Sequence, residues 1–364
     1  MDNSGLLFIP DISGFTKFVN ETEIEHSRYI IEELLENIIN SNQIGLTISE
    51  IEGDAVLFYR FGKTPSPEEI YQQVEKMFCN FQKQLKNYET RRACQCSACT
   101  AAINLSLKII THYGEFSTYN VKKYSKLIGK DVIVAHQLLK NDIDLHEYWL
   151  VTNDLFNINT NNSSLRMNWL MGNKQTEKGE VAFHYAMLTH LKEKVQPDPL
   201  SDLELDDNKL KLISKVKTID SPSISVLSVI GNFSLRSKWM EGVKSTGKVS
   251  HPINHVGVKH STVFNNRAMV FYSSSFSQNN DFYSYSETDE KKTMAIYFTL
   301  KSLEDNKTLV IIDYYIKKDP FLQFFFPLVT KNKLSRQLAK SLDNLEELCR
   351  TPGIAYPKTL QKTG

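Results

Sequence analysis

Two aspartates and a cluster of cysteines are the residues whose types and spacing could do chemistry. Asp11 follows the apolar run Leu6-Leu7-Phe8-Ile9, so it stands where a buried strand would end. Asp54 belongs to Gly53-Asp54, between two apolar segments, which marks a hairpin turn. Phosphoryl chemistry on a nucleoside triphosphate needs divalent cations held by hard oxygen ligands. Magnesium commonly takes one or two carboxylates and keeps its other positions for water and phosphate. A strand-end aspartate beside a turn aspartate would supply that pair for Mg2+ or Mn2+. Taken singly, each is more often a turn or cap residue. The cysteines form Cys94-x-Cys96-x-x-Cys99. Three thiolates at that spacing can reach one soft ion such as Zn2+, which asks for four ligands. The fourth could be Cys79, His112, a water or a residue of a partner subunit. A redox pair at Cys96 and Cys99, or three small buried side chains, are the competing readings.

The elements that must position these residues follow from apolar periodicity. Residues 5–12 read as a buried strand, 21–40 as an amphipathic helix with Ile24, Ile31, Leu34, Leu35 and Ile38 on one face, and 45–51 with 55–60 as a strand pair. Ser66-Pro67-Glu68-Glu69 opens a second helix to residue 88, with Ser able to cap and Pro at the first helical position. Residues 102–112 read as a strand, 130–139 as a helix, and 148–152 and 181–188 as late strands. This β-α-β-β-α-β order is the ferredoxin-like palm arrangement, in which the first strand and the hairpin are neighbours.

The same segments resemble class III nucleotidyl cyclases. Phe8-Ile9-Pro10-Asp11-Ile12-Ser13-Gly14-Phe15-Thr16 is similar to the family's Asp-Ile-x-Gly-Phe-Thr opening, and Glu50-Ile51-Glu52-Gly53-Asp54-Ala55 to its second-metal hairpin. His112-Tyr113-Gly114-Glu115 resembles its His-Thr-Gly-Glu strand end, and residues 129–138 its Gly-Asp-x-Val-Asn-x-Ala-x-Arg-Leu helix start. The resemblance implies that Asp11 and Asp54 hold the metal with the Ile12 carbonyl. It implies that Phe15 and Thr16 open the helix facing a triphosphate, that Glu50 and Lys126 occupy the base-selecting positions, and that the domain dimerises. A Glu at the first of these suits guanine, whose N1–H and amino group it can accept.

The pattern departs from the family in its catalytic helix. Ile133 and Gln137 occupy the Asn and Arg positions. Isoleucine offers no hydrogen bond to a ribose, and neutral glutamine lacks the guanidinium fork. Losing one such electrostatic stabiliser costs about 10²–10³ in rate. Lys126 is not a family choice either. The segment between Gly114 and Gly129 is short, so the family's Gly-rich hairpin is not expected, and Lys178 is the counterpart of the closing-strand lysine. No intact catalytic set is therefore expected.

Residues 192–207 are polar, acidic and carry two prolines, the composition of a linker. Beyond them, residues 209–218 read as a strand, 222–231 as a short helix, 268–276 and 308–316 as strands and 332–349 as a long helix. With the turn around Trp239, this order resembles the START-like (SRPBCC, helix-grip) superfamily, which implies a cavity for an apolar small molecule or lipid. The aromatic run Phe321, Phe324, Phe325, Phe326 is expected in the core, and His251, His255 and His260 are expected to be structural.

The expected architecture is α+β: a ferredoxin-like palm, class III cyclase-like, over 1–191, a linker over 192–207, a helix-grip START-like domain over 208–350 and a tail over 351–364. The totals agree with two domains. The chain has 364 residues, 41% of them hydrophobic. Its 43 Lys+Arg and 42 Asp+Glu leave no basic excess for a nucleic-acid partner. No apolar run is long enough to span a membrane, the start carries no basic leader, and five cysteines argue against a disulfide framework. A cytoplasmic protein is expected. The leading functional expectation is a degenerate cyclase-like domain that keeps a metal and nucleotide site, coupled to an apolar-ligand domain in sensing or regulation. The alternatives are an active cyclase favouring GTP over ATP, alone or as the metal-aspartate subunit of a heterodimer, and a lipid carrier or scaffold.

Overall fold

A computed structural model describes residues 3–159, 167–199, 203–205, 209–264, 267–279, 282–318 and 320–351. The chain is a mixed α+β protein of two compact units. Met1–Asn87 and Ala101–Asp198 form the first, Tyr88–Thr100 and Pro199–Gly364 the second.

Along the first half run β1 (Ser4–Ser13), α1 (Phe15–Glu21), α2 (Ile24–Asn40), β2 (Thr47–Glu52), β3 (Ala55–Phe61), α3 (Pro67–Arg91), α4 (Ser97–Ala101), β4 (Ser106–Glu115), β5 (Ser117–Val121), β6 (Tyr124–Ile128), α5 (Lys130–Leu139), β7 (Tyr148–Thr152), α6 (Asn153–Asn159), β8 (Leu170–Thr176) and β9 (Gly179–Met187). The first unit's sheet has the order β2-β3-β1-β4-β7-β9-β8. Only β4–β7 is parallel among its pairings. β1 lies inside the sheet and is buried on both faces, which explains its unbroken apolar run. Leu7 and Ile9 pack with Val134, Ala135 and Leu138, the apolar face of α5.

The helices bury narrow stripes. α2 buries Ile30, Leu34 and Ile38, each contributing about 1.5–3 kcal/mol on removal from water. α3 opens on a reciprocal cap: Glu69 N–H donates to Ser66 Oγ at 3.2 Å and Ser66 N–H to Glu69 Oε2 at 2.8 Å. The polar stretch after β9 is fastened along α3. Lys86 Nζ donates to the Val195 carbonyl at 2.6 Å, and Asn87 exchanges hydrogen bonds with Asp198 at 2.9 and 3.0 Å.

The second unit contains β10 (Lys209–Ile219), α7 (Ser223–Gly231), α8 (Arg236–Trp239), β11 (Val243–Val249), β12 (Lys259–Phe264), β13 (Arg267–Asn279), β14 (Phe282–Asp289), β15 (Met294–Ser302), β16 (Thr308–Lys317) and α9 (Pro320–Arg350). Its antiparallel sheet runs β10-β16-β15-β14-β13-β12-β11, so the first strand pairs with the last. Leu338, Leu342 and Leu345 of α9 close the core over Trp239, Phe298, Ile312 and Ile316. Arg236 and Glu287 form a buried two-pronged ion pair at 2.8 and 2.5 Å, to which Tyr285 Oη adds a hydrogen bond at 2.7 Å. Tyr88–Thr100 joins this unit by backbone: Ala93 and Cys94 N–H both donate to the Asn254 carbonyl, at 3.0 and 3.2 Å, and Val256 N–H donates to the Arg91 carbonyl at 2.9 Å.

Several sequence expectations shift. The helix expected over 21–40 is α2, which begins at Ile24, and a separate short helix, α1, precedes it. The strand expected at 102 begins at Ser106, because 97–104 is helical. A hairpin, β5–β6, does occupy the segment where none was expected. The last helix begins at Pro320 rather than 332 and contains the aromatic run; the side chains of Phe321, Phe324, Phe325 and Phe326 lie outside the described ones, as does most of the expected tail.

Candidate functional site

The two aspartates meet because of strand register. Asp11 on β1 is opposite Ala55 on β3, and the β2–β3 connection is the two residues Gly53-Asp54 between the paired Glu52 and Ala55. Gly53 takes φ 61, a conformation that favours glycine at a tight hairpin. Ile12 N–H donates to the Asp54 carbonyl at 3.1 Å, which locks the turn beside the strand end. Asp11 and Asp54 then line one cavity of about 1030 Å³ together with Ile12, Phe15, Thr16, Glu50, Ile133 and Gln137.

The electrostatics of this cavity are those of crowded carboxylates. Burial, and next the Asp11 charge, push Asp54 up to about 7. Lys108 on β4 partly compensates, with its Nζ 3.2 Å from Asp11 Oδ2 and 3.1 Å from the Leu139 carbonyl. Lys17 and Lys140 also line the cavity, as do His136 and His146. The donor set fits a divalent cation: two adjacent carboxylates, one of which is disfavoured as an anion until a cation arrives.

Glu50 and Lys126, which the resemblance assigns to base selection, are engaged with each other. Lys126 on β6 forms an ion pair with Glu50 on β2, and His136 Nε2 lies 3.7 Å from Glu50 Oε1. Ile133 is 48% exposed and offers the cavity only methyl groups. Gln137 spends its side-chain carbonyl on the Glu177 N–H at 3.1 Å, so it braces the turn between β8 and β9. The resemblance implies aspartates from one subunit working with the catalytic helix of another. In this chain both sets line the same cavity. α1 is only seven residues long, so Phe15 and Thr16 line the cavity without a long helix behind them.

A second constellation was not apparent from sequence. Buried Asp131 on α5 accepts from His112 Nε2 at 2.9 Å, from Glu115 N–H at 2.9 Å and from Lys178 Nζ at 2.6 Å. Burial works to raise its pKa, but the His112 and Lys178 hydrogen bonds hold it well below the usual carboxylate range. Gly114 makes this possible, since a Cβ there would sit 2.3 Å from Asp131 Cγ. His112 Nδ1 is 2.8 Å from Thr152 Oγ1, so both its ring nitrogens are engaged within the first unit and it is not the fourth ligand of the cysteine cluster. Lys178, read as the counterpart of the family lysine, anchors to Asp131.

Cys94, Cys96 and Cys99 lie in the second unit with their Sγ atoms within 4.8 Å of one another. Hydrogen bonding with Cys94, then with Cys96, and burial push the Cys99 thiol well above its ordinary value. His251 and His255 pack edge to face with ring centroids 4.8 Å apart, and each ring approaches a backbone carbonyl. His260 is buried, 3.6 Å from Glu287 Oε2.

Residues 31–148 match a family described as "Protein of unknown function (DUF2652)". An uncharacterized protein, Rv2561/Rv2562 of Mycobacterium tuberculosis, is 32% identical over 120 residues, which is 33% of this chain and 56% of that protein. The chain thus spans just over half the length of the curated relative it matches. Among solved structures, the catalytic core of a rhodopsin-guanylyl cyclase with converted specificity, in complex with ATPalphaS, is 15% identical, with 51% of this chain and 96% of that one covered and a TM-score of 0.39. The adenylyl cyclase CyaB from P. aeruginosa is 14% identical, covering 50% and 93%, with a TM-score of 0.35. The guanylate cyclase domain of RhGC from Catenaria anguillulae, in complex with GTP, is 12% identical, covering 51% and 97%, with a TM-score of 0.34. These structural neighbours are adenylyl and guanylyl cyclases, and the likeness extends over about half the chain.

Proposed function

We propose that the first unit is a nucleotidyl-cyclase-related module that binds a nucleoside triphosphate with Mg2+ or Mn2+ and cyclises it inefficiently or not at all. The observation that carries this reading is the convergence of Asp11 and Asp54 on one cavity that Ile133 and Gln137 also line. A divalent cation bound there would neutralise the two carboxylates and offset phosphate charge. Asp11, Asp54 and the Ile12 carbonyl would hold it. Phe15, Thr16, Lys17 and Lys140 would flank the phosphates. Gln137 supplies no guanidinium for the charge that develops in transfer, and Ile133 no hydrogen bond for the ribose. The module would then signal by occupancy. Dimerisation fits the exposed apolar side chains Tyr119, Val121, Tyr124 and Ile128 on the β5–β6 hairpin.

The test is thermal-shift binding of ATP and GTP with and without Mn2+, alongside a product assay with all four common triphosphates. A metal-dependent shift without cyclic product is expected, because binding to the native state raises stability. No shift with any triphosphate would overturn the reading. One observation favours the active alternative: Lys140 lies three residues beyond Gln137 and lines the same cavity, where it could supply a cation in place of the arginine. Cyclic product that disappears in both Asp54→Ala and Lys140→Ala would establish that alternative. A heterodimer with an intact cyclase partner would instead appear as co-purification of that partner from the native cell.

For the second unit we propose the helix-grip, START-like arrangement, supported by the strand order and the packing of α9 across the sheet. An apolar small molecule or lipid is the proposed ligand. Organic extraction and mass spectrometry of the purified full chain test this, and an extract without apolar compounds would favour a scaffold.

A further inference from the structure

We propose that Cys94, Cys96 and Cys99 form a structural zinc site in the second unit, with a further protein donor or water completing the tetrahedron. The three sulfurs face one another, with all Sγ atoms within 4.8 Å. That span is a small rotamer adjustment from a common ion at about 2.3 Å from each thiolate. Three thiolates select a soft or borderline cation over magnesium, so this site is chemically distinct from the aspartate cavity.

The backbone around the cluster is already arranged for a thiolate. Cys96-x-x-Cys99 straddles the start of α4, and Cys99 N–H donates to Cys96 Sγ at 3.4 Å. An amide N–H aimed at sulfur is the kind of outer contact that orients a metal-bound sulfur. The turn is held by the Cys96 carbonyl, which accepts from Thr100 N–H at 3.0 Å and from Thr100 Oγ1 at 2.9 Å.

The segment leading into the cluster is equally fixed. Arg92 bridges His255 by backbone, and Ala93 and Cys94 N–H share the Asn254 carbonyl. Asn254 is itself tied to the Gly231 carbonyl at 3.0 Å and to Tyr285 Oη at 3.1 Å. The cysteines therefore sit on a backbone that need not reorganise to bind metal. Three thiols in mutual contact gain little from weak S–H hydrogen bonds, whereas one cation would satisfy all three. The Cys99 side chain is fully buried, as expected of a structural site closed to substrate.

The test is zinc content of the untagged full chain, purified without chelator and measured by elemental analysis. About one zinc per chain is expected, as for a single tetrahedral site. Each of Cys94→Ser, Cys96→Ser and Cys99→Ser should lower that content, while Cys349→Ser should leave it unchanged. Cobalt substitution of the wild-type chain counts thiolates without any mutation. Tetrahedral ligand-field bands with strong sulfur-to-metal charge transfer are expected. Wild-type protein that stays metal-free after zinc incubation, an octahedral cobalt spectrum, or a Cys96–Cys99 disulfide in place of metal would each overturn the proposal. Asp11→Ala and Asp54→Ala should not change zinc content, so the outcome is independent of the nucleotide reading.

Discussion

The molecule handles carboxylates in two opposite ways. In the second unit, Glu287 is 1% exposed yet fully answered by Arg236, Tyr285 and nearby His260. Burial works to raise its pKa, but the Arg236 charge holds it well below the usual range. In the first unit, Asp54 is pushed the other way, to about 7, by burial and by Asp11, with Lys108 as partial relief. A carboxylate whose partners are supplied by the fold serves stability. A pair of carboxylates left under-compensated in an open cavity is where a cation from solution gains most.

The largest expected effect lies on the structural side. Arg236→Ala should cost about 3–5 kcal/mol in urea denaturation, because it strands a buried Glu287. The double variant Arg236→Met, Glu287→Leu should recover most of that loss, since a packed apolar pair often replaces a buried ion pair at no net cost. A single variant within about 0.5 kcal/mol of wild type, the range of an ordinary surface change, would break the comparison at its stronger end.

Acid should separate the two regions next. Glu287 and Asp131 have depressed folded-state pKa values, so their stabilisation is present above their ordinary values and is lost as pH falls. Unfolding monitored by circular dichroism should therefore set in as pH drops below about 4.5, the ordinary glutamate range. In Asp131→Asn the acid limb should be shallower, with lower stability at neutral pH. An unchanged acid limb in that variant would show that the His112–Asp131–Lys178 cluster contributes nothing through charge.

What the sequence made legible is what local pattern encodes. Asp11 two residues before the end of β1, Asp54 in a two-residue turn and the helix over 130–139 all follow closely from spacing within a dozen residues. Lys108 was illegible because it is one lysine between the apolar residues Leu107 and Ile109, and it meets Asp11 only through β1–β4 register. Asp131 was hidden for the same reason: its partners His112 and Lys178 come from β4 and the β8–β9 turn. β8, Leu-Met-Gly-Asn-Lys-Gln-Thr, is a mostly exposed edge strand without apolar alternation. The last helix starts early because the chain stays helical through Pro327, where proline and clustered aromatics read as a boundary. That Tyr88–Thr100 belongs with the second unit rests on long-range backbone pairing that no local signal announces.

On the binding side, Asp54→Asn should raise the melting temperature in metal-free buffer at pH 8. The sign follows from its raised pKa: Asp54 contributes stability fully below its ordinary 3.8, and loses it as pH rises through about 7. Above that, the carboxylate is charged against Asp11 and the amide is not. The gain should shrink toward pH 5, where wild-type Asp54 carries its proton. The same substitution should abolish the Mn2+-dependent shift seen with a triphosphate. If Asp54→Asn is neutral at pH 8 and keeps that shift, the cavity is not a cation site.

The smallest effect should come from Lys126→Ala. Lys126 sits at the surface and its ion pair with Glu50 is screened, so the melting temperature should hardly move. Its consequence should appear in nucleotide preference. While Lys126 and His136 face Glu50, that carboxylate is already answered and cannot accept freely from a purine. Removing the lysine leaves an acceptor suited to the guanine N1–H and amino group, and unsuited to the adenine N1, which is itself an acceptor. Lys126→Ala should therefore tighten GTP relative to ATP in the thermal-shift assay, and Glu50→Gln in the same background should reverse the gain. If the two nucleotides move together, Glu50 is a surface charge paired for solubility, and the base-reading role implied by the resemblance does not extend to this chain.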